Sequence, residues 1–207
     1  MGELVELHPK NPQVHLLRKA AEAIRRGEVI VYPTDSCYAL GCALGDKDAM
    51  ERLARIRGVD KHHHFTLVCR DLSEIAKYAR VSNSQYRLLK AATPGPYTFI
   101  LEATREVPKR LTHQKHRTIG IRIPDHPVPR LLLEALGEPL MSSTLLLPGD
   151  DYPLTDAGEI HHRIGHQVAW VLEGGHCGLE PTTIVDLSGE VPVLVRQGKG
   201  ALSVLGL

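Results

Sequence analysis

Aromatic side chains are scarce in this 207-residue chain, with 2 Phe, 1 Trp and 6 Tyr, so any core must be built from Leu, Ile, Val and Ala. Bulk charge is nearly absent as well: 25 basic against 24 acidic residues leave +1 with histidine neutral. That balance excludes a protein held to nucleic acid by its overall charge, but it leaves room for a local basic patch. Only four cysteines occur, Cys37, Cys42, Cys69 and Cys177, and none forms a C-x-x-C pair. Three of them sit in apolar runs, where a reduced cysteine packs as a small hydrophobe, so neither a structural metal nor a disulfide framework is expected. No charged-then-apolar leader opens the chain, and no apolar run approaches the roughly 20 residues of a membrane span. The expected address is the cytoplasm, with no membrane partner.

Common catalytic signatures are missing too. There is no G-x-x-x-x-G-K-[ST] phosphate loop, no G-x-S-x-G nucleophile turn and no H-E-x-x-H zinc helix. The glycine pair in "RQGKGALS" follows the last predicted strand and lacks phosphate-loop spacing.

What is present reads as an ordinary globular chain, 43% hydrophobic and 24% charged. At about 150 residues per domain, one domain spanning 1–207 is expected. Asn11 as N-cap, Pro12 in the first turn and Gly27 at the stop predict a first helix. "VIVYP" then reads as a buried strand, and Asp46 to Arg57 as a helix ended by Gly58. Asp71 and Ser82 read as caps of short helices, and a further helix runs from His126 to Leu136. "FTLVCR", "YTFILEA", "TIGIRIP", "PLMSST", "VAWVL", "TTIVDL" and "VPVLVR" supply further strands, and "DAGEIHHRI" another helix. Seven or eight strands interleaved with five or six helices predict an α/β (α+β) domain around a large mixed sheet.

Several constellations carry chemistry. Thr34, Asp35, Ser36 and Tyr38 follow a buried strand directly, where α/β proteins expose ligand groups, although such residues also favour a plain turn. Arg55, Arg57 and Lys61 surround a helix C-terminus; they complement the helix dipole, or they hold a polyphosphate. His62, His63 and His64 are consecutive, which suits an exposed loop better than a metal. In "TIGIRIP", Thr118, Gly120 and Arg122 share one strand face, opposite Ile119, Ile121 and Ile123. An arginine there requires an anion, from a ligand or from a structural carboxylate. Ser142, Ser143 and Thr144 cluster at a strand end, and Thr182, Thr183, Asp186 and Arg196 lie on the late strands.

In order, "GEVIVYPTDSCYALG", "TPGPYTFIL", "TIGIRIPDHP", "TTIVDLSG" and "VLVRQG" resemble the YrdC-like threonylcarbamoyl-AMP synthase family, from about Leu16 to Gly198. The stretch "RIRGVDKHHHFTLVCRDLSEIAKYA" looks most like its YciO-like branch. The resemblance implies a large twisted sheet around a basic concave cleft. It implies ATP (or AMP), magnesium, L-threonine and bicarbonate as ligands, and tRNA or double-stranded RNA as partner. Thr34, Arg122 and Thr182 match threonine-binding positions. Arg55 and Arg57 match a K-x-R pair on the nucleotide, with arginine for lysine, and Thr118, Ser143, Thr144 and Arg196 match further nucleotide positions. No protein nucleophile is implied, because the carbamoylated threonine itself attacks the phosphate; no catalytic side chain is assigned.

Two positions depart from the family pattern. Synthases carry S-x-N where this chain has Thr144, Leu145 and Leu146, so an amide is replaced by an apolar side chain. Cys69 stands where synthases often have a histidine near the substrate. The expectation is therefore a nucleotide- and RNA-binding protein acting in or near threonylcarbamoyl modification of tRNA, with weak or absent synthase turnover; a non-catalytic RNA-binding module and a hydrolase of threonylcarbamoyl groups are the alternatives. For RNA the candidate strip is "REVPKRLTHQKHR", in which Arg105, Lys109, Arg110, Lys115 and Arg117 face one acid, Glu106. Composition alone fits a solvated loop equally well. With so few aromatics to stack on bases, duplex or folded RNA read by shape is the expected form.

Overall fold

Capping chemistry sets most helix starts in the structure, a computed structural model that describes residues 1–60 and 62–207. The Asp46 carboxylate accepts from the Ala49 N–H to open α2 (Lys47–Arg57), and Gly58 closes it at φ 64°, in the left-handed region that a Cβ disfavours. Asp71 opens α3 (Leu72–Tyr78) in the same way, and Ser82 with Gln85 forms a reciprocal capping box on α4 (Asn83–Ala92). His126 Nδ1 caps α5 (Pro127–Leu136), and Asp156 caps α6 (Ala157–Ile164). The first helix corrects the expectation: α1 covers Val14–Arg25, and Asn11 does not cap it. His8 Nδ1 accepts instead from the N–H groups of Lys10 and Asn11, and Gln13 Oε1 accepts from the His8 N–H, so residues 8–13 are spent in a turn.

Among the described residues ten strands form one sheet. In chain order they are β1 (Glu3–Glu6), β2 (Ile30–Tyr32), β3 (Ala39–Ala43), β4 (Thr66–Val68), β5 (Tyr97–Glu102), β6 (Thr118–Arg122), β7 (Leu140–Thr144), β8 (Trp170–Glu173), β9 (Thr183–Asp186) and β10 (Val193–Arg196). Across the sheet the order is β1-β8-β2-β3-β7-β4-β6-β5-β9-β10. Parallel pairs (β1 with β8, β8 with β2, β4 with β6, β5 with β9) mix with antiparallel ones, so this is an α/β fold with a large mixed sheet.

Ten strands exceed the expected seven or eight, and β1 and β3 are the unforeseen ones. β1 reads Glu-Leu-Val-Glu with acids at both ends, and β3 reads Ala-Leu-Gly-Cys-Ala with no β-branched residue. Pairing to neighbouring strands, not local preference, makes them strands.

The core lies on both faces of the sheet. On one face Val31, Leu40, Leu67, Phe99, Leu101 and Ile121 pack with α2, α3 and α4. On the other, α1 and α5 lie against each other, burying Leu17, Ala21, Ile24, Leu132, Leu133 and Leu136 over Ile30 and Leu140. These two helices cover only one end of their face. Further along, the same face carries hydroxyls and an arginine, and it stays open.

Candidate functional site

The open part of the sheet forms the floor of a cleft of about 530 Å³. Strand alternation puts Tyr32, Thr66, Val68, Thr98, Arg122 and Ser142 on that floor. Ser142, Thr66 and Gly120 stand in register across β7, β4 and β6, and their small size keeps the floor low. A Cβ on Gly120 would come within 3.3 Å of Thr98 Cγ2. Ser142 Oγ donates to the Leu40 carbonyl at 2.8 Å, which leaves its lone pairs for the Tyr32 hydroxyl at 2.6 Å. Burial pushes the Tyr32 phenol up to about 12, so it stays a proton donor at neutral pH.

Arg122 holds the centre. Its guanidinium pairs with the Asp35 carboxylate and reaches Ser36 Oγ at 3.3 Å, and Asp35 Oδ2 also accepts the Asp125 N–H at 2.9 Å. Asp35 is thus the structural carboxylate that a strand arginine required. It does not satisfy the whole group: Arg122 Nε is buried without an acceptor. Arg57 repeats the pattern. Its Nη1 donates to the Leu146 carbonyl at 2.7 Å, its Nε is buried and unpartnered, and burial lowers its pKa.

Arg196 is the third guanidinium in the lining. Its Nε and Nη2 donate to the Thr182 carbonyl at 3.1 and 2.9 Å, and Nη2 also to Thr182 Oγ1 at 3.3 Å. The Thr182 hydroxyl meets that of Thr98 at 2.8 Å. Thr34 is largely occupied by its own turn, donating to the Cys37 carbonyl at 2.6 Å and accepting from the Ser36 N–H at 3.0 Å. Cys37 also lines the cleft. Burial pushes its thiol up, and its S–H donates to the Glu180 carbonyl, so it is not a thiolate nucleophile at neutral pH.

The cleft thus brings together Thr34, Arg57, Arg122, Ser143, Thr144, Thr182 and Arg196. Convergence of Arg55 and Thr118 on the same point is corrected. Two helical residues apart is a turn of about 200°, so Arg55 faces solvent on α2 while Arg57 faces the cleft. Thr118 lines a smaller adjoining recess of about 170 Å³, which shares His64, Thr66 and Thr98 with the cleft. Cys69 is also corrected. It is fully buried and lies on the β4 face opposite Thr66 and Val68, away from the cleft. Leu146 does line the cleft, half-buried, with its carbonyl held by Arg57.

Arg105, Lys109, Arg110, Lys115 and Arg117 are all exposed on the connection between β5 and β6. Arg110 Nη2 donates to the Gly45 carbonyl at 2.6 Å, and among the described residues none of the five forms an ion pair. Arg52, on α2, is committed to the Gly27 carbonyl. Lys61 lies outside the described residues.

Thr98, Asp151 and Tyr152 are among the lining residues that escaped the sequence reading. Thr98 is the polar residue on the cleft side of "YTFILEA", a signal readable only once that face is known to be open. Asp151 and Tyr152 come from "PGDDYP", which announces nothing but a turn; Tyr152 is 67% exposed at the rim. Among the described residues no group of three or more His, Cys, Asp or Glu could hold a metal ion, and no helix is long and apolar enough to cross a membrane.

The family model Sua5_yciO_yrdC, described as "Telomere recombination", matches residues 22–198. The chain belongs to this family. It is 52% identical over 200 residues to the Escherichia coli K12 protein YciO, covering 97% of each chain. It is 30% identical to a threonylcarbamoyl-AMP synthase of Vibrio cholerae, over 89% of this chain and 98% of that one. The crystal structure of E. coli YciO superposes with a TM-score of 0.94 at 50% identity, over 99% of this chain and 100% of that one. P. abyssi Sua5 complexed with L-threonine gives 0.87 at 24% identity over 95% of this chain and 57% of that one, a likeness of fold alone. The Sua5/YciO/YrdC chain described here is therefore related to threonylcarbamoyl-AMP synthases, and its large mixed sheet has the architecture of their YrdC-like domain.

Proposed function

We propose that the whole chain acts as one domain whose net cationic concave cleft binds ATP or AMP together with L-threonine, and that it holds tRNA or duplex RNA on the 105–117 connection, in or near threonylcarbamoyl modification of tRNA. One observation carries this. Arg57 and Arg122 line one cleft, and among the described residues the buried Nε–H of each has no acceptor. An unpaired buried donor costs about 1–3 kcal/mol, and a ligand that supplies acceptors recovers it. Two such donors on different elements fit a ligand with two anionic groups.

A threonine carboxylate fits Arg122, which shares its charge between that group and Asp35; Thr34 and Thr182 line the same cleft, where a threonine side chain would exchange with the Cys37 carbonyl and Thr98 hydroxyl that engage them now. A phosphate fits Arg57, with Ser143, Thr144 and Arg196 as further donors. P. abyssi Sua5, which shares this fold, is complexed with L-threonine, and that supports threonine as a ligand. These arginines would stabilise charge building on the α-phosphate as the carbamoylated threonine forms its bond to phosphorus and pyrophosphate leaves. No side chain is needed as nucleophile. Magnesium carried on the phosphates needs only one or two protein oxygens, and Asp151 is the carboxylate in the lining that would hold it.

Leu146 sets the level of activity. An apolar side chain among these donors leaves one ligand atom unpaired, so synthase turnover is weak. Leu146→Asn keeps the backbone acceptor that Arg57 uses and is expected to tighten ATP binding roughly tenfold, measured by calorimetry. Robust pyrophosphate release by the parent from ATP, threonine and bicarbonate would show that the amide is dispensable. The arginines test the cleft directly. Arg57→Ala is expected to abolish ATP-dependent stabilisation in a thermal melt, whereas Arg55→Ala leaves it intact. Equal stabilisation in parent and Arg57→Ala would remove the nucleotide from this cleft.

A further inference from the structure

Beside the cleft, and sharing His63 and His64 with it, is a separate recess of about 360 Å³. Its polar walls are His62, His63 and His64 after α2, and Arg110, His113 and Lys115 on the β5–β6 connection. α2 and β7 contribute only Met50 and Met141. Among the described residues no carboxylate lines it. Asp60, on the same loop as the three consecutive histidines, spends Oδ1 on the His62 N–H at 2.8 Å.

The imidazoles are arranged, not scattered. His64 stacks on His113 with ring centroids 5.3 Å apart, and His113 on His116 at 4.9 Å. His113 Nδ1 accepts from the backbone N–H groups of Lys115 and His116, both at 3.3 Å, so its Nε2 is the nitrogen left for a ligand. Arg110 is anchored on the Gly45 carbonyl. The turn ends on Arg117, held at φ 50°, where a non-glycine side chain is disfavoured and which persists only when surrounding structure imposes it. Burial disfavours the His63 imidazolium, Arg57 and His64 add to that, and Asp60 opposes them. A cluster of imidazoles and cations without a counter-charge is repulsive in the protonated state. An anion resolves it.

We propose that this recess is an anion subsite that takes a phosphate group, with Arg110 and Lys115 as fixed charges and the His64–His113 stack as proton-dependent donors. The proposal goes beyond the cleft reading and stands without it. The phosphate has two possible sources, a nucleotide phosphate extending from the cleft or a phosphodiester of bound RNA. Each demands the same chemistry.

The test uses the full chain, with inorganic pyrophosphate, ATP and a short RNA duplex as probes, followed by histidine NMR signals and by calorimetry. Pyrophosphate is expected to move the titration midpoints of recess histidines upward. Its affinity should rise roughly tenfold between about pH 7.5 and pH 5.5, where imidazoles gain protons. His64→Gln with His113→Gln should weaken it roughly tenfold and flatten most of the pH dependence, whereas Arg55→Ala, on the solvent face of α2, should leave both unchanged. Perturbation by ATP assigns the phosphate to a nucleotide, and perturbation by the duplex alone assigns it to RNA; either supports the subsite. If no probe moves a recess histidine, or the double variant binds pyrophosphate with parental affinity and pH dependence, the subsite does not exist. Failure of the cleft reading would leave a different trace, loss of the Arg57→Ala effect on ATP with the histidine shifts intact.

Discussion

Arg122→Met is expected to lower the unfolding midpoint by roughly 10 °C and to abolish stabilisation by threonine. The Arg122 and Asp35 side chains are only 9% and 11% exposed, so deleting the cation strands a largely buried carboxylate. Removing one partner of a buried pair costs about 3–5 kcal/mol, and each kcal/mol moves the midpoint of a chain this size by about 2–4 °C. Asp35→Asn added to Arg122→Met should restore most of that loss, because an amide keeps an acceptor for the Asp125 N–H without the charge. The double variant should still ignore threonine. Thermal and urea unfolding of the parent, both single variants and the double variant give the coupling energy. If the losses simply add, the pair does not organise the cleft; if threonine still stabilises the double variant, Arg122 is not its carboxylate partner.

Reversing Lys109, Arg110 and Lys115 to Glu should weaken binding to tRNA or duplex RNA by roughly a hundredfold at fixed ionic strength, because each lost phosphate contact also forfeits counterion release. All three are exposed, and the one hydrogen bond lost, from Arg110 to the Gly45 carbonyl, is on the surface, so the fold should survive. In gel-shift titrations over a salt series, the parent should show a steep loss of affinity with salt and little preference for sequence. The slope of the triple variant should be shallower by roughly 0.7–0.9 for each phosphate contact removed. Parental affinity in the triple variant would clear this strip of any role in RNA binding. Arg105 and Arg117, at the ends of the same segment, should each give a smaller effect.

Much of the fold was legible locally. Asp46, Asp71, Ser82, His126 and Asp156 each precede a helix whose N–H groups they cap, and Gly58 stops one helix where a left-handed residue is needed. Asn11 carried the same signal and misled, because His8 and Gln13 offered its neighbourhood a competing turn. β3 gave no signal at all: Ala-Leu-Gly-Cys-Ala becomes a strand only because β2 and β7 pair with it on both sides.

The site divides along the same line. By itself the chain determined which side chains could meet an anion, since period-2 alternation separates Arg122 from the isoleucines around it and leaves it needing a counter-charge. It also determined the order of motifs that places it in the Sua5/YciO/YrdC family. Only the tertiary structure decided that Asp35, 87 residues away, would be that counter-charge. The same packing decided that α2 would turn Arg57 inward and Arg55 outward, that Cys69 would sit beneath the sheet, and that three imidazoles from two loops would stack beside the cleft. Caps and alternation act within a few residues, where the chain carries its own instructions. A counter-charge or an open sheet face depends on which distant segments the sheet brings together, and strand pairing sets that only once the whole core has closed.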